Sequence, residues 1–422
     1  MNPLLEFSVS NYRSINDMCT LSLIADITKE SPLSNIVEIG DNRVLKTAVV
    51  YGANSSGKSN LLNAIYHMKY IVLSSVKKNN NDKLEYNPFL FSTEKNRPSF
   101  FEITFLLDES KYRYGFEISQ DQVLEEWLMY SELNRKKEKK LFYRNSDDIK
   151  YDSKLFPEGK GKSEMINDNR LFLSLCAQLG GDTSKLIISW FQNNINVISG
   201  ISSDGYLGIS KIMLHENRFG SEDIKAFLSK MQLGFEDIDT IENDLQFPVE
   251  VQVAGNDAKQ VLGAKTIDII SNHNVYNING DVVDKISMPF DAIESEGTKK
   301  LFDLSGPIFD TLNNGRVLII DELDAKMHPH ISWHIINLFN SPETNKSGAQ
   351  LIISTHDTHL LSSKLFRRDQ IWFTEKDAKE QTDLYNMLDI VLPDGSKPRN
   401  DANYERNYIA GRYGAVPYII ND

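Results

Sequence analysis

The feature that most constrains the fold of this chain is the segment Gly52–Ser59, which fits the pattern G-x-x-x-x-G-K-[ST]. The apolar run Ala48–Tyr51 before it predicts a buried strand, and the apolar spacing of Leu61–Ile65 after it predicts a helix. A strand, a glycine-containing loop and a helix in this order direct backbone N–H groups inward at phosphate oxygens. The segment therefore predicts a fold built around a phosphate-binding loop.

The pattern gives each residue type in the loop a task. The glycines let the backbone curl, Lys58 would reach the β- and γ-phosphates of a nucleoside triphosphate, and Ser59 would hold Mg²⁺. The alternative is a Gly/Ser-rich loop that matches by coincidence, and the flanking strand and helix count against it. The residues that we expect to contact the nucleotide here are Gly52, Asn54, Ser55, Ser56, Gly57, Lys58, Ser59 and Asn60.

Composition limits the class of protein. A chain of 422 residues is too long for one ordinary core, and we expect two or three subdomains. The formal net charge of −13 argues against general affinity for nucleic acid, although a local basic face would still allow DNA binding. With two cysteines, no signal-peptide pattern and no apolar run near the roughly 20 residues that span a bilayer, a cytoplasmic protein with no membrane association is expected.

The hydrophobic pattern predicts an α/β fold. Alternation in residues 5–25 and 99–118 indicates antiparallel strands, the latter as a hairpin. The continuous apolar runs Val317–Ile320 and Gln350–Ser354 are typical of parallel strands buried on both faces. These runs predict a mixed α/β protein with an antiparallel edge.

Apolar spacing divides the chain into three predicted segments. Residues 1–165 would form a first lobe with the phosphate loop and the antiparallel strands. Residues 166–240 have helical spacing and predict a mainly helical insertion, too irregular for a long coiled-coil arm. Residues 241–422 would form a second lobe.

Two carboxylates follow one of the buried strands. Asp321 and Glu322 end the run Val317–Ile320, where Asp321 would lie beside the Mg²⁺ held by Ser59. Glu322 would then orient or deprotonate an attacking water. A strand that ends in such a pair by coincidence is not rare, but its place downstream of a phosphate loop favours the catalytic interpretation.

His356 follows another apolar strand, in Ser354–Asp357. A histidine at the end of a strand would donate to the γ-phosphate and report its presence. Taken alone it is better interpreted as a structural histidine, and the other motifs reverse that preference. Asp324 lies just beyond the carboxylate pair, where a dimer contact would fit.

The segment Glu294–Thr298 precedes a predicted helix. Ser295 would donate its hydroxyl to a phosphate, and Gly297 would allow close approach of backbone N–H groups. By itself the segment is a helix cap with a flexible glycine, and that structural interpretation would then be preferred.

Two further patterns leave a structural alternative open. The basic run Arg135–Lys140 would suit a nucleic-acid or partner contact, but no aromatic residue interleaves with it, which favours a solvated turn. His328, His330 and His334 have a spacing that can converge on a metal ion. No carboxylate or cysteine with ligand spacing accompanies them, apart from the pair already assigned.

As a set, these motifs resemble those of ABC-type ATPases: a Walker A loop, a signature-like Ser295-x-Gly297-Thr298, a Walker B pair, a following aspartate and a switch histidine. The N-terminal strand with Asn11–Ile15 is similar to the SMC and RecF branch. The segments Asp369–Lys376 and Gly411–Pro417 are similar to small stand-alone ATPases of bacterial anti-phage defence, which include the OLD-like, abortive-infection and restriction-linked groups.

The resemblance implies an ABC-type P-loop ATPase head, a two-lobed mixed sheet with helices, that hydrolyses ATP with Mg²⁺. It implies a head-to-tail dimer, with room for higher assembly, in which each ATP lies between Walker A of one subunit and Ser295–Thr298 of the other. Arg13 matches a basic residue near the phosphates. The sequence departs from the ABC-type pattern in two places. The signature lacks the full Leu-Ser-Gly-Gly-Gln form, and Asn87 is the substitute where a Q-loop glutamine is sought.

Our first functional hypothesis is a sensor ATPase of anti-phage defence whose nucleotide-dependent assembly controls a separate toxic effector, a nuclease, in response to a phage-encoded trigger. We expect residues 376–422 to be too short for a nuclease domain. The alternative is an SMC/RecF-like repair or recombination ATPase that binds DNA directly, against which the acidic charge counts. A transporter ATPase is disfavoured by the size of the insertion.

Overall fold

The computed structural model describes residues 1–27, 30–94, 96–135, 137–202, 205–253 and 256–417. The chain forms two compact units. The first unit combines Met1–Ile201 with Asn314–Asp422, and the second unit is Ser202–Asn313. These bounds differ from the three predicted segments.

The strands are β1 (Leu4–Ser10), β2 (Cys19–Ser22), β3 (Ile36–Ile39), β4 (Asn42–Leu45), β5 (Thr47–Gly52), β6 (Ser99–Leu107), β7 (Ser110–Ile118), β8 (Val123–Glu132), β9 (Lys139–Arg144), β10 (Ile149–Tyr151), β11 (Ile195–Ser199), β12 (Asp237–Val253), β13 (Asn256–Tyr276), β14 (Val282–Pro289), β15 (Val317–Asp321), β16 (Gln350–Ser354), β17 (Ile371–Lys376) and β18 (Thr382–Asn386). The helices are α1 (Lys58–Ser74), α2 (Phe172–Gln178), α3 (Asp182–Asn194), α4 (Leu207–His215), α5 (Ser221–Lys230), α6 (Phe290–Ile293), α7 (Glu296–Asn314), α8 (Pro329–Asn340) and α9 (Tyr404–Ile409).

A six-stranded sheet in the first unit positions the phosphate loop. Its order is β11-β15-β16-β5-β17-β18, in which neighbours from β11 to β17 are parallel and β18 runs antiparallel to β17. Every residue of β5 and β16 is buried, as continuous apolar strands covered on both faces should be. Because parallel strands end at one edge, the segments that follow β5, β15, β16 and β17 are brought together there.

A seven-stranded antiparallel sheet forms the other layer of the first unit, in the order β10-β9-β8-β7-β6-β1-β2. The predicted hairpin is present as β6 and β7. Aromatic side chains join this sheet to the helices, with the Phe105 and Trp190 rings stacked at 3.9 Å between centroids. One hydrophobic core therefore extends from this sheet through α1 and α3 to the central strands.

The predicted helical insertion over residues 166–240 does not form a separate helical body. Helices α2 and α3 pack into the core of the first unit, through buried residues such as Phe172 and Phe191. Strand β11 extends the central sheet instead of belonging to an insertion. Helices α2 and α3 do form where the spacing predicts helices, but local periodicity does not say against which core an apolar face packs.

The second unit combines a three-stranded antiparallel sheet, β12-β13-β14, with helices α4 to α7. Its core contains the apolar face of α7, where Phe302 packs on Phe290 at 5.3 Å and Phe309 on Phe227 at 5.5 Å between ring centroids. In the described ranges of both units, each helix is too short or too polar to cross a membrane.

Candidate functional site

The loop between β5 and α1 forms one side of the site. Gly57 has a φ of 111°, in the left-handed region, and a Cβ at this position would overlap Thr382. A Cβ at Gly52 would lie 2.5 Å from both Ser56 Oγ and Thr374 Oγ1. The two glycines of the motif are thus required by the close approach of β17 and β18 as well as by the turn itself.

Lys58 is buried and folds back over the loop. Its Nζ donates to the carbonyl oxygen of Gly52 at 2.9 Å and of Ala53 at 3.1 Å. Burial lowers the pKa of Lys58, while the negative charge of Glu322 and its neighbouring carboxylates opposes this shift. The ammonium is therefore held by loop carbonyls at a place where the oxygens of a phosphate would be stronger acceptors.

Hydroxyl and amide groups brace the loop from outside. Ser56 Oγ lies 2.7 Å from Thr374 Oγ1, and the Thr382 hydroxyl donates to the Ser56 carbonyl at 2.9 Å. Ser14 Oγ lies 2.7 Å from Thr382 Oγ1 and accepts from Asn60 Nδ2 at 2.7 Å. The sequence motif gave no sign of Ser14, Thr374 or Thr382, because they are remote in the chain.

The Walker B carboxylates are oriented by the neighbouring strand. Ser354 Oγ donates to Asp321 Oδ1 at 2.5 Å and accepts from the backbone N–H of Glu322 at 2.8 Å. Glu322 has a φ of 59°, and the N–H of Gly200 donates to the Asp321 carbonyl at 2.6 Å. A Cβ at Gly200 would overlap the Glu322 carbonyl, so this strained turn is closed from one side by a glycine.

His356 lies at the end of β16 and belongs to the same edge. Its backbone N–H is 3.3 Å from an Asp324 carboxylate oxygen. Burial lowers the pKa of His356, and the positive charge of Lys58 lowers it further. The imidazole is therefore mainly neutral at pH 7, with one N–H available as a donor.

The turn that carries Arg13 is fixed beside the loop. The Arg13 N–H donates to the Asn87 carbonyl at 2.8 Å, and its guanidinium lies 5.3 Å from the centroid of the Tyr12 ring. The Arg13 side chain is exposed, and the adjacent Ser14 contacts Asn60 on α1. The structure thus brings Arg13 and Asn87 together on the side of the phosphate loop.

Ser295 and Gly297 belong to the second unit, at the start of α7. Ser295 Oγ accepts from the Thr298 N–H at 3.2 Å, and its hydroxyl lies 2.9 Å from Thr298 Oγ1. This is the helix cap that the sequence offered as the alternative. A contact with nucleotide in a partner subunit stays a prediction.

The three histidines near α8 do not form a metal site. His328 Nδ1 accepts from the His330 N–H at 3.2 Å, and the two rings stack. In the part of the chain that the structure describes, no group of three or more His, Cys, Asp or Glu side chains is placed to hold a metal ion. Mg²⁺ bound to phosphates needs only one or two protein oxygens, and Ser59 with Asp321 fits that donor set.

The basic run Arg135–Lys140 begins in the turn between β8 and β9 and ends in β9, which starts at Lys139. Arg135 pairs with Glu132 at 2.8 Å, and Glu138 pairs with Arg113 at 2.7 Å. Lys136 lies outside the described residues. Lys137, Lys139 and Lys140 are exposed, as expected of a solvated segment.

A cleft of about 610 Å³ opens beside the phosphate loop. One side consists of loop residues Gly52–Ser56 and His356. The remainder is lined by residues for which the sequence motifs predict no individual role: Thr358, Thr374, Glu375, Lys376, Tyr408, Ala415, Val416 and Pro417.

A phosphate loop, a carboxylate pair and a histidine at one edge of a parallel sheet define a P-loop ATPase domain of the AAA/ABC kind. A family model described as an AAA domain, a candidate AbiEii toxin of type IV toxin–antitoxin systems, matches residues 48–161 and 225–362, more than half of the chain. The chain belongs to this AAA domain family. No curated protein matches it significantly. The family match confirms the predicted P-loop ATPase class.

Proposed function

We propose that the chain is a cytoplasmic, Mg²⁺-dependent ATPase whose ATP-bound dimer controls a separate toxic effector, a nuclease, in anti-phage defence. One observation supports the proposal that the chain hydrolyses ATP. Ser354 holds the Asp321 carboxylate and the Glu322 backbone at the sheet edge that also carries the Lys58 loop. Two acidic side chains at the end of a buried strand are thereby directed toward the phosphate-binding loop.

Different groups of the chain have different roles in ATP hydrolysis. Loop N–H groups and Lys58 bind the phosphates, and Glu322 orients the attacking water and accepts its proton. The neutral His356 donates to the terminal phosphate. Ser59 and Asp321 would hold Mg²⁺, which when bound neutralises charge that develops on the phosphate oxygens.

The proposed dimer completes each site with residues of a second copy. Ser295 and Gly297 of one subunit would face the ATP on Walker A of the other, with Asp324 at the contact. Because each nucleotide then binds two subunits, ATP stabilises the pair and hydrolysis releases it. Arg13 would add a positive charge near the phosphates.

The proposal of a separate effector is supported by the AAA family match and by the sequence resemblance to ATPases of anti-phage defence. The description of the family names toxins and toxin–antitoxin systems, which supports a place in a two-component defence system. A phage-encoded trigger would change the nucleotide state of the dimer and so release or activate the nuclease. Membership of the OLD-like, abortive-infection or restriction-linked groups is part of this proposal.

A trapped variant tests the proposal. Glu322→Gln should bind Mg²⁺-ATP like the parent, hydrolyse it about 10²-fold more slowly or worse, and elute as a dimer with ATP. A nuclease should co-purify with this variant and be lost with Lys58→Ala, the matched variant that fails to bind nucleotide. Hydrolysis by Glu322→Gln at the parental rate would refute the enzymatic part.

The effector part has its own test. If the purified chain cuts nucleic acid alone and Glu322→Ala leaves the cutting intact, the effector is not a separate protein. If Glu322→Gln instead binds duplex DNA in an ATP-dependent and salt-sensitive manner, the SMC/RecF-like alternative replaces the effector role.

A further inference from the structure

The C-terminal segment Tyr404–Pro417 forms a wall of the cleft beside the phosphate loop. It contains α9 and the turn that follows. Tyr408 and the stretch Ala415–Pro417 line the cleft together with Gly52–Ser56 and His356. This segment of the chain is thus part of the phosphate site, although it contains none of the ATPase motifs.

Glu375, at the end of β17, holds the turn in place. Its Oε2 accepts from the Ala415 N–H at 3.2 Å. The Tyr385 hydroxyl lies 3.3 Å from the same oxygen and 2.9 Å from the Tyr413 carbonyl, and it can donate to one of them at a time. Glu375 therefore links the central sheet to the wall of the cleft.

Two further contacts fix the same turn. The Tyr408 hydroxyl donates to the Ala415 carbonyl at 2.9 Å, so α9 and the turn hold each other. Gly414 has a φ of 70°, and a Cβ there would lie 2.5 Å from the Tyr385 hydroxyl and 2.8 Å from the Glu375 carboxylate. The turn approaches β17 and β18 too closely for any other residue at this position.

An aromatic cluster connects α9 to the strand that leads into the loop. The Tyr408 ring lies 5.7 Å from Tyr51 on β5 and 5.6 Å from Phe373 on β17, measured between centroids. The Tyr51 hydroxyl donates to the Asp357 carbonyl, next to His356. The wall, the loop and the histidine segment therefore share one packed base.

The negative charge of Glu375 limits the role that this side chain can have in the cleft. A carboxylate repels phosphate, so Glu375 is unsuited to contact an anionic ligand, and its Oε2 is already engaged by Ala415. Lys376 also lines the cleft, and its Nζ is 4.0 Å from the largely exposed carboxylate of Glu380. Such an ion pair is weak, which leaves this ammonium available to a phosphate oxygen.

We propose that Glu375 is a positioning residue of the nucleotide site: by holding Ala415 it keeps the C-terminal wall against the cleft that takes the terminal phosphate, and so favours a nucleoside triphosphate over a diphosphate. The terminal phosphate is assigned to this cleft because His356, its donor in the proposed function, lines it together with Ala415. The inference rests on the proposed function, since it takes the triphosphate as the ligand.

Nucleotide affinities of the full chain test this proposal. The dissociation constants of Mg²⁺-ADP and of a non-hydrolysable Mg²⁺-ATP analogue are measured for the parent, Glu375→Ala and Glu375→Gln. Glu375→Ala should weaken binding of the analogue about tenfold and of ADP less than about twofold. Glu375→Gln should bind the analogue as well as the parent or better, because its amide oxygen still accepts from Ala415 and a negative charge is gone.

Asp383→Ala is the matched control. Asp383 lies directly opposite Glu375 on the neighbouring strand β18 and is exposed. The Asp383→Ala substitution therefore removes one negative charge, as Glu375→Ala does, without changing a contact to the turn. It should change neither affinity by more than about twofold. If Glu375→Ala fails to fold, Tyr408→Phe serves instead, because it keeps the ring and removes the hydroxyl. It should weaken binding of the ATP analogue several-fold and leave binding of ADP unchanged.

Three outcomes would overturn the inference. If Glu375→Ala and Glu375→Gln change the affinity for the ATP analogue equally, the carboxylate acts through its charge or not at all. Equal losses for ADP and the analogue would mean a general effect on the fold. If the parent binds neither nucleotide, the proposed function itself fails, and this inference fails with it.

Discussion

The hydroxyl of Ser354 donates to the carboxylate of Asp321 across two parallel strands, at 2.5 Å. The same oxygen accepts from the N–H of Glu322 at 2.8 Å, so one buried side chain orients both acidic residues that follow β15. Ser354→Ala should therefore lower kcat about tenfold or more, with a smaller change in the affinity for ATP. Steady-state ATPase kinetics and nucleotide binding measure the two effects separately.

Ser332→Ala is the control for this substitution. Ser332 is also fully buried, and among the described residues its hydroxyl has no hydrogen-bond partner. The replacement should leave kcat within about twofold of the parent. A loss of similar size in both variants would show that removal of any buried hydroxyl, and not the orientation of Asp321, is responsible.

Thr382→Val should loosen the phosphate loop. The change removes the bond from Thr382 Oγ1 to the Ser56 carbonyl at 2.9 Å and the contact with Ser14 Oγ at 2.7 Å. With a carbonyl left unpaired in a buried place, the free energy of unfolding should fall by about 1–3 kcal/mol, and the affinity for Mg²⁺-ATP should fall as well. Urea unfolding and nucleotide titration test this, and an unchanged affinity would contradict the bracing role.

The lowered pKa of His356 makes thermal stability depend on pH. The ordinary pKa is 6.5, and burial with the charge of Lys58 holds the folded value below it. The folded protein therefore binds this proton less readily than the unfolded chain does. Its contribution to stability is present above pH 6.5 and is lost as pH falls from 6.5 through the lowered folded pKa.

His356→Gln should remove this component. Melting temperatures of parent and variant, measured from pH 8 to pH 5, should run parallel above pH 6.5. Below that pH the parent should lose stability faster than the variant. Curves that stay parallel over the whole range would contradict the prediction.

Glu126 on β8 should be essential for the stability of the first unit. It is fully buried and accepts from the backbone N–H groups of Phe172 at 2.6 Å and Leu173 at 3.0 Å, with the Arg144 guanidinium 3.9 Å away. Glu126→Ala leaves these two N–H donors without an acceptor. It also removes the carboxylate beside the buried Arg144, whose guanidinium then keeps only its bonds to backbone carbonyl oxygens. The free energy of unfolding should fall by about 3–5 kcal/mol.

Glu132→Ala, on the same strand, is the comparison. Glu132 pairs with Arg135 at 2.8 Å, but the Arg135 side chain is 68% exposed and the Glu132 side chain 45% exposed. Its loss should cost at most about 1 kcal/mol in the same urea experiment. Similar losses for the two glutamates would refute the special role of the buried one.

The elements that sequence predicts well are those specified by local pattern. The loop after β5 and the strand Val317–Ile320, observed as β15, follow from spacing and apolar character alone. The capping of α7 by Ser295 was also visible as an alternative. Each of these features depends on residues within one turn or one strand, where periodicity and cap chemistry act directly.

The elements that sequence misses depend on distant partners. Glu375 and Ala415 touch because β17 and the turn after α9 pack together, and no local pattern specifies that contact. The predicted helical insertion is not seen as a separate body for a related reason. The spacing in α2 and α3 shows an apolar face, but the aromatic residues that it covers, such as Phe105, come from a strand far earlier in the chain.

The contact between Ser14 and Thr382 has a consequence for biosynthesis. These residues are 368 positions apart, yet Thr382 bonds the loop carbonyl of Ser56 and Ser14 in turn contacts Thr382. During translation the Walker A sequence leaves the ribosome early, whereas its outer support is made only when β18 emerges. A nascent chain released before that strand lacks this support, so full nucleotide binding is acquired late in synthesis. We therefore expect truncated products to bind nucleotide more weakly than the full chain.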